Sequence, residues 1–372
     1  MVILPEGSFE EPRNLPATPK THKMDSLTHI VLGACIGEAG FSKEMGKKAL
    51  LLGAFAQSFP DVDGLASFFL SPTQNLLFHR SVTHSFLFVA LAAPALAWLS
   101  GRLFPSLQLP RLKLTLFFAL QMGLHILLDT CNAYGTQLLW PFSSERISFD
   151  LLFVADPFFT SPLLIALLAF LILKKHQPVR KKWMAAGILL PCFYLAYAFF
   201  NKASVNLQVE KTLREQQIPY TGFITKPTAF NTWLWYIMVP TEDGYYIGYR
   251  SVFDDKNYPT PFKYFPKNEN LLPSPSSVEM SRLKTFAEDH YTVEQHGDSL
   301  FFNIPRFGRI AGWDQADTDF TFHYYLNEGY DNTMVMQRGR VREWNRDTMI
   351  RMIRRIKGEH MERSFYGNKY LL

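Results

Sequence analysis

Four stretches of this chain, residues 82–101, 114–128, 157–173 and 183–200, contain no lysine, arginine, aspartate or glutamate, and they restrict its folding more than any other feature. Each runs for about 15–20 residues, close to the ~20 that a helix needs to cross a hydrocarbon layer of ~30 Å. Buried helices of a large soluble protein can also be apolar all round. The charges between the runs argue for the membrane. Two shorter apolar segments come first: 27–41, rich in small residues (Gly33, Ala34, Gly37, Ala39, Gly40) suited to close helix packing, and 49–59, which ends at Pro60. Lys43, Lys47 and Lys48 lie between these two, Arg102, Arg111 and Lys113 follow the third segment, and Lys174, Lys175, Arg180, Lys181 and Lys182 follow the fifth. The alternate connections have Arg80 and Arg146 as their only basic side chains apart from histidine. Such alternation is the positive-inside pattern and places the basic loops in the cytoplasm. The expected architecture is an all-α polytopic membrane domain of about six helical segments over residues 24–200, followed by a smaller α+β extramembrane domain over 201–372.

The length of 372 residues agrees with about two domains. Residues 1–23, with four prolines and scattered charge, read as a disordered N-terminal extension, and Met24 as a more natural start. Cys35, Cys131 and Cys192 show no ligand spacing and read as small core residues. No arginine-rich aromatic patch accompanies the net charge of +5, so no nucleic acid partner is expected. After residue 200 the signals change. Residues 222–248 read as a hairpin turning at Glu242-Asp243-Gly244, strands are expected at 299–304 and 320–326, and helices at 276–290 and 346–362. Pro227 and Asn231-Thr232-Trp233 serve equally as a substrate-facing edge or a packed strand. His290, His296 and His323 have no partner spacing and read as ordinary surface or core residues.

The chemistry gathers at one end of the helical segments. His29 lies near the start of the first, Asp61 and Asp63 just past the second, His79 and His84 at the start of the third, and His125 and Asp129, four apart and so on one helical face, at the end of the fourth. In the positive-inside topology all of them converge on the extracytoplasmic rim, together with Asp156 at the start of the fifth. Imidazole and carboxylate are ligands of zinc and related divalent ions. Seven candidates, His29, Asp61, Asp63, His79, His84, His125 and Asp129, exceed the needs of one tetrahedral ion. The surplus suggests one or two ions, with Asp61 or Asp63 as bridge. Arg80 either clamps a phosphate oxygen or holds a lipid phosphate at head-group depth. Asp63 or Asp129 would orient the attacking water or take its proton. Asp156 caps the fifth segment or, like Thr28, supports a ligating histidine.

Taken in order, Met24-Asp25-Ser26-Leu27-Thr28-His29, Pro60-Asp61-Val62-Asp63, His79-Arg80-Ser81-Val82-Thr83-His84-Ser85, His125-Ile126-Leu127-Leu128-Asp129, Tyr134-Gly135-Thr136 and Pro141-Phe142-Ser143 resemble the bacterial membrane-bound metal-dependent hydrolase family of the YdjM type. The resemblance spans roughly residues 24–200. This family is distantly similar to zinc-dependent phospholipases C and P1-type single-strand nucleases, which implies phosphoester hydrolysis at a His/Asp metal site. The final zinc-binding helix of those soluble enzymes, with a His and a Glu one turn apart, has no counterpart here, which argues against a third ion. The expectation is a multi-pass inner-membrane hydrolase acting on a small-molecule or lipid phosphoester, with membrane lipid as its surroundings and no protein partner specified. Its rivals are a non-catalytic membrane protein with a structural or sensing metal and a partner-binding outer domain, and a transporter. Transport is disfavoured because the four long runs carry no charge near their middles.

Overall fold

The computed structural model describes residues 26–104, 109–174, 177–273, 277–314, 318–326 and 344–359. The N-terminal extension 1–23, Lys175 and the end of the expected terminal helix lie outside the described residues.

The first two helices, α1 (Ser26–Met45) and α2 (Lys48–Ser58), fold back on each other through Gly46, whose φ of +60° is easy only for glycine. Their axes come together backbone to backbone, because a Cβ added at Gly37 would strike the Ala49 carbonyl and one at Gly53 would strike the Gly33 carbonyl. A ten-residue 3-10 segment, Phe59–Phe68, follows with Pro60 in its first turn. The next helix, α3 (Pro72–Phe78), was not expected, although its signal is legible: Ser71 accepts from the Gln74 amide while Gln74 returns a bond to Ser71, a capping box with proline at the first helical turn. A single 3-10 turn, Val82–His84, leads into α4 (Phe86–Leu103), which pairs with α5 (Arg111–Asp129) around Val89, Ala93, Phe118, Met122 and Ile126. The last pair is α6 (Pro157–Ile172) and α7 (Val179–Glu215), packed with α1 around Cys35, Leu163 and Ala166.

Among the described residues three helices, α4, α5 and α7, are long and apolar enough to cross a membrane, so the expected count of about six spans is not upheld. The reason is length and packing. The 11 residues of α2 reach only about 16 Å and the 16 of α6 about 24 Å, short of a ~30 Å layer. Helix α1 is long enough, but His29, Glu38, Lys43 and Glu44 interrupt its apolar run. Its Glu38 is buried against Arg180 in a two-pronged ion pair (2.6 and 2.8 Å), while Arg180 also satisfies the terminal carbonyls Phe170 O and Leu173 O of α6. The basic loop residues thus do structural work as well as charge work, Lys47 donating to Leu171 O in the same way.

Helix α7 continues 15 residues beyond the expected end of the last apolar run, and that extension carries the smaller domain. Its Val205, Val209 and Leu213 pack on Trp235, Ile237 and Val239, alternate residues of β2 (Leu234–Pro240). The intervening Leu234, Tyr236 and Met238 face the opposite way, so both faces of the strand are buried. The antiparallel sheet runs β1 (Ile224–Pro227), β2, β3 (Gly244–Ser251), β4 (Phe262–Pro266) in spatial order, with the expected turn before Gly244. A second antiparallel sheet, β5 (Thr292–His296), β6 (Ser299–Asn303) and β7 (His323–Tyr325), packs with α8 (Val278–Ala287), and α9 (Arg346–Ile356) closes the far side of the first. The smaller domain leans on the same end of the helices as the candidate ligands. Leu76 and Leu77 of α3 and Ala133 join its second core, Tyr134 meets Phe307 at 5.0 Å, and Arg146 lies over Phe286 while donating to the carbonyls of Leu76, Leu77 and His79.

Candidate metal centre

Four of the seven expected ligands meet. Asp61 from the 3-10 segment, His84 from the turn before α4, and His125 and Asp129 from the last turns of α5 each present one donor atom, all within 4.8 Å of one another. Five of the six separations are resolved in detail: His84 Nε2 to His125 Nε2 3.2 Å, His84 Nε2 to Asp129 Oδ2 3.3 Å, and 3.5 Å for His84 Nε2 to Asp61 Oδ1, His125 Nε2 to Asp61 Oδ1 and His125 Nε2 to Asp129 Oδ2. A tetrahedral ion with ligand bonds of about 2.0–2.1 Å has ligand-to-ligand edges of about 3.3–3.4 Å. The donors therefore fit a small divalent cation. The surroundings fit it too: Asp129 Oδ2 is buried and takes no hydrogen bond, although a buried carboxylate oxygen without a donor is costly.

Asp63 and His29, with Arg80, stand behind these four and aim them. Asp63 lies one layer back, so the expectation that it ligates or bridges gives way to a different geometry. Its Oδ2 faces His84 Nδ1 (3.4 Å) and accepts the Arg80 backbone N–H (2.9 Å), while its Oδ1 meets His79 Nδ1 (3.2 Å). A carboxylate on the far nitrogen of a histidine fixes the tautomer that leaves Nε2 free to coordinate. His29 Nε2 and Arg80 Nη2 approach the same atom, Asp129 Oδ1, at 3.2 and 3.3 Å, which turns Oδ2 toward the cluster. The Arg80 guanidinium also donates to Asn132 Oδ1 (2.8 Å) and lies over Tyr134, buried within the protein. Both prongs of the guanidinium are thus engaged by Asn132 and Asp129. Arg80 reaches this position through a left-handed backbone, φ +63°, an unfavourable conformation that its N–H bond to Asp63 helps hold. His79 is part-exposed at the mouth of the site, with 31 % of its side chain accessible. Asp156 accepts from the amides of Phe158 and Phe159 and from Tyr194 Oη, which makes it the cap of α6. Thr28 pairs with Thr160 at 2.8 Å.

The charges of the cluster are coupled. Burial pushes the His84 imidazole down, but the carboxylates of Asp129, Asp61 and Asp63 outweigh it and raise it to about 10. Burial likewise works against ionising Asp61 and Asp63, yet the imidazoles bonded to each hold both well below the usual carboxylate range. Carboxylates thus gather on both sides of His84, and positive charge near them comes from Arg80 on Asp129 and from the imidazoles, with room in the charge balance for a divalent cation. Sequence spacing could signal the His125/Asp129 pair. Nothing in it could show that Asp63 would stand behind His84, because that depends on the direction of one 3-10 turn.

A helical bundle with three candidate spans and a buried His/Asp cluster at one rim, capped by a strand-bearing domain, defines a membrane protein with a candidate metal centre. The chain belongs to the YdjM inner membrane protein family, whose profile matches residues 24–205. Inner membrane protein YbcI of Escherichia coli (strain K12) is 34 % identical over 122 residues, 32 % of this chain and 69 % of that protein. The uncharacterized protein YfhP of Bacillus subtilis (strain 168) is 27 % identical over 250 residues, 60 % of this chain and 68 % of that protein, so its similarity extends beyond the length of the helical region. No solved structure matches the chain.

Proposed function

We propose that the chain is a membrane-embedded metal-dependent hydrolase that cleaves an ester, with a phosphodiester or phospholipid head group as the favoured substrate. The observation that carries the metal is the set of donor separations among Asp61, His84, His125 and Asp129, five of the six lying within about 0.2 Å of a tetrahedral edge. Zinc is the favoured ion, since imidazole with carboxylate is its common donor set. A bound ion of this kind supplies Lewis acidity and lowers the pKa of water to about 7. The residues around it supply the rest. Asp61, at 29 % side-chain exposure the most accessible of the four, marks the side from which water and substrate arrive. His79, held by Asp63 at the mouth, is the group best placed to take a proton from the attacking water and return it to the leaving oxygen. Arg80 and His29 keep Asp129 Oδ2 directed inward throughout.

A second reading has an observation of its own. Four protein donors close a tetrahedron, and closed shells belong to structural sites, whereas catalytic sites keep a position open. In that reading the ion staples the 3-10 segment to α4 and α5, or senses metal supply, and the outer domain binds a partner. The test is elemental analysis of detergent-purified protein, wild type beside His84→Ala/His125→Ala, with a phosphodiester panel assayed in parallel. Near-stoichiometric metal and turnover, both lost in the variant, support the hydrolase. Metal without turnover supports the staple. Absence of metal from the wild type after reconstitution rejects both.

A further inference from the structure

The 3-10 segment that supplies Asp61 carries an unusual outer face. A 3-10 helix repeats every three residues, so side chains at i and i+3 eclipse into a straight row. In Phe59–Phe68 that row is Val62, Leu65 and Phe68, exposed by 42 %, 60 % and 66 %, and Phe69 beyond it is exposed by 88 %. Such a contiguous apolar row marks an interaction surface. Residues 49–79 contain no lysine or arginine, and Asp61 and Asp63, both turned to the site, are their only charges. The row is continuous with the surface of a candidate span: Phe55 meets Phe59 at 5.6 Å, Phe59 stacks on Phe88 of α4 at 6.1 Å, and Phe86, Leu87 and Leu91 are exposed along the first turns of that helix.

We propose that Val62, Leu65 and Phe68 form a lip immersed in the bilayer, against which the acyl chains of a membrane glycerophospholipid lie while its head group reaches Asp61. This inference rests on the hydrolase reading for the identity of the substrate, and on geometry alone for the lip. The apolar row and the accessible ligand share one short segment, so a lipid lying along the row brings its ester linkages level with the cluster without leaving the membrane. A soluble substrate would have no use for the row.

The test uses the full chain with the exposed native thiol removed (Cys192→Ser), reconstituted in vesicles of phosphatidylethanolamine and phosphatidylglycerol. A bimane label is attached through Leu65→Cys, Phe68→Cys or, as the water-exposed reference in the outer domain, Lys256→Cys. Lipids brominated along the acyl chain should quench the first two labels and iodide only the third. Equal iodide quenching at all three sites overturns the lip. With Leu65→Ser/Phe68→Ser, metal content measured as a check on the site, the ratio of long-chain lipid turnover to turnover of a soluble phosphodiester should fall about ten-fold or more. An unchanged ratio overturns the role in access. If the wild type hydrolyses neither substrate the hydrolase reading fails, and with it the assignment of the lipid as substrate, while the quenching result still decides whether the lip is immersed.

Discussion

His84 and Asp129 each use both ends of the side chain, one toward the cluster and one toward a neighbour that aims it. Removing an aiming group should therefore act through the metal. Asp63→Asn weakens the acceptor on His84 Nδ1, and metal affinity should drop about 10–100-fold, measured by competition with a chromophoric chelator. Asp129→Asn, which removes a donor itself, should abolish stoichiometric binding. Equal binding by Asp63→Asn and wild type would show that the carboxylate does not orient the ring. Arg80→Met leaves Asp129 Oδ1 without its buried cation, and the loss should be about 3–5 kcal/mol of stability, read from the thermal transition in detergent. Arg80→Lys should recover only part of that, because one ammonium cannot serve Asp129 and Asn132 as the planar fork does.

Among the elements, the α1–α2 hairpin makes the sharpest prediction, because it rests on backbone contact. Any side chain at Gly37 or Gly53 meets a carbonyl of the facing helix, so Gly37→Val should separate the pair and displace the 3-10 segment that follows. Gly40→Ala is the control on the same helix. Its Cβ would rest 3.7 Å from the Phe117 ring, an ordinary contact, and stability should rise by about 0.5–1 kcal/mol from improved helix propensity. Comparison of thermal midpoints for the two variants checks both. The remaining elements show where pattern reading works. The apolar runs located α4, α5 and α6 to within a few residues, and the Asp-Gly turn located the β2–β3 hairpin. Strands β4 and β5 escaped it because they are short and carry little alternation, and the long continuation of α7 escaped it because charged residues there end the apolar run without ending the helix.

For the molecule as a whole, the cluster joins three segments, the stretch after α2, the turn before α4 and the end of α5, which the bonds of Asp63 and Arg80 also link. A ligand that binds only the folded arrangement stabilises it by mass action. Treatment with a strong chelator should lower the thermal midpoint of the detergent-solubilised chain, and zinc in excess of the chelator should restore it. His84→Ala/His125→Ala should show a low midpoint that responds to neither. A wild-type midpoint indifferent to chelator, in a sample shown to have lost its metal, would mean that the ion does not hold these segments together.

The apolar runs and the His and Asp positions near their ends are local properties, and the sequence by itself determined a helical membrane region with a candidate metal site at one rim and a strand-bearing domain after it. Hydrophobic length and charge placement act through solvent, segment by segment, and need no knowledge of neighbours. Tertiary structure alone decided the division of labour. The ligating four were separated from Asp63, His29 and Arg80 by the directions of a 3-10 segment, a left-handed residue and a helix end, at separations of about 3 Å. Among the described residues the helix bounds also reduced six apolar segments to three candidate spans, because α2 and α6 are too short to reach across and charged residues interrupt α1. Coordination depends on distances between residues far apart in the chain, and those distances exist only once the helices have packed.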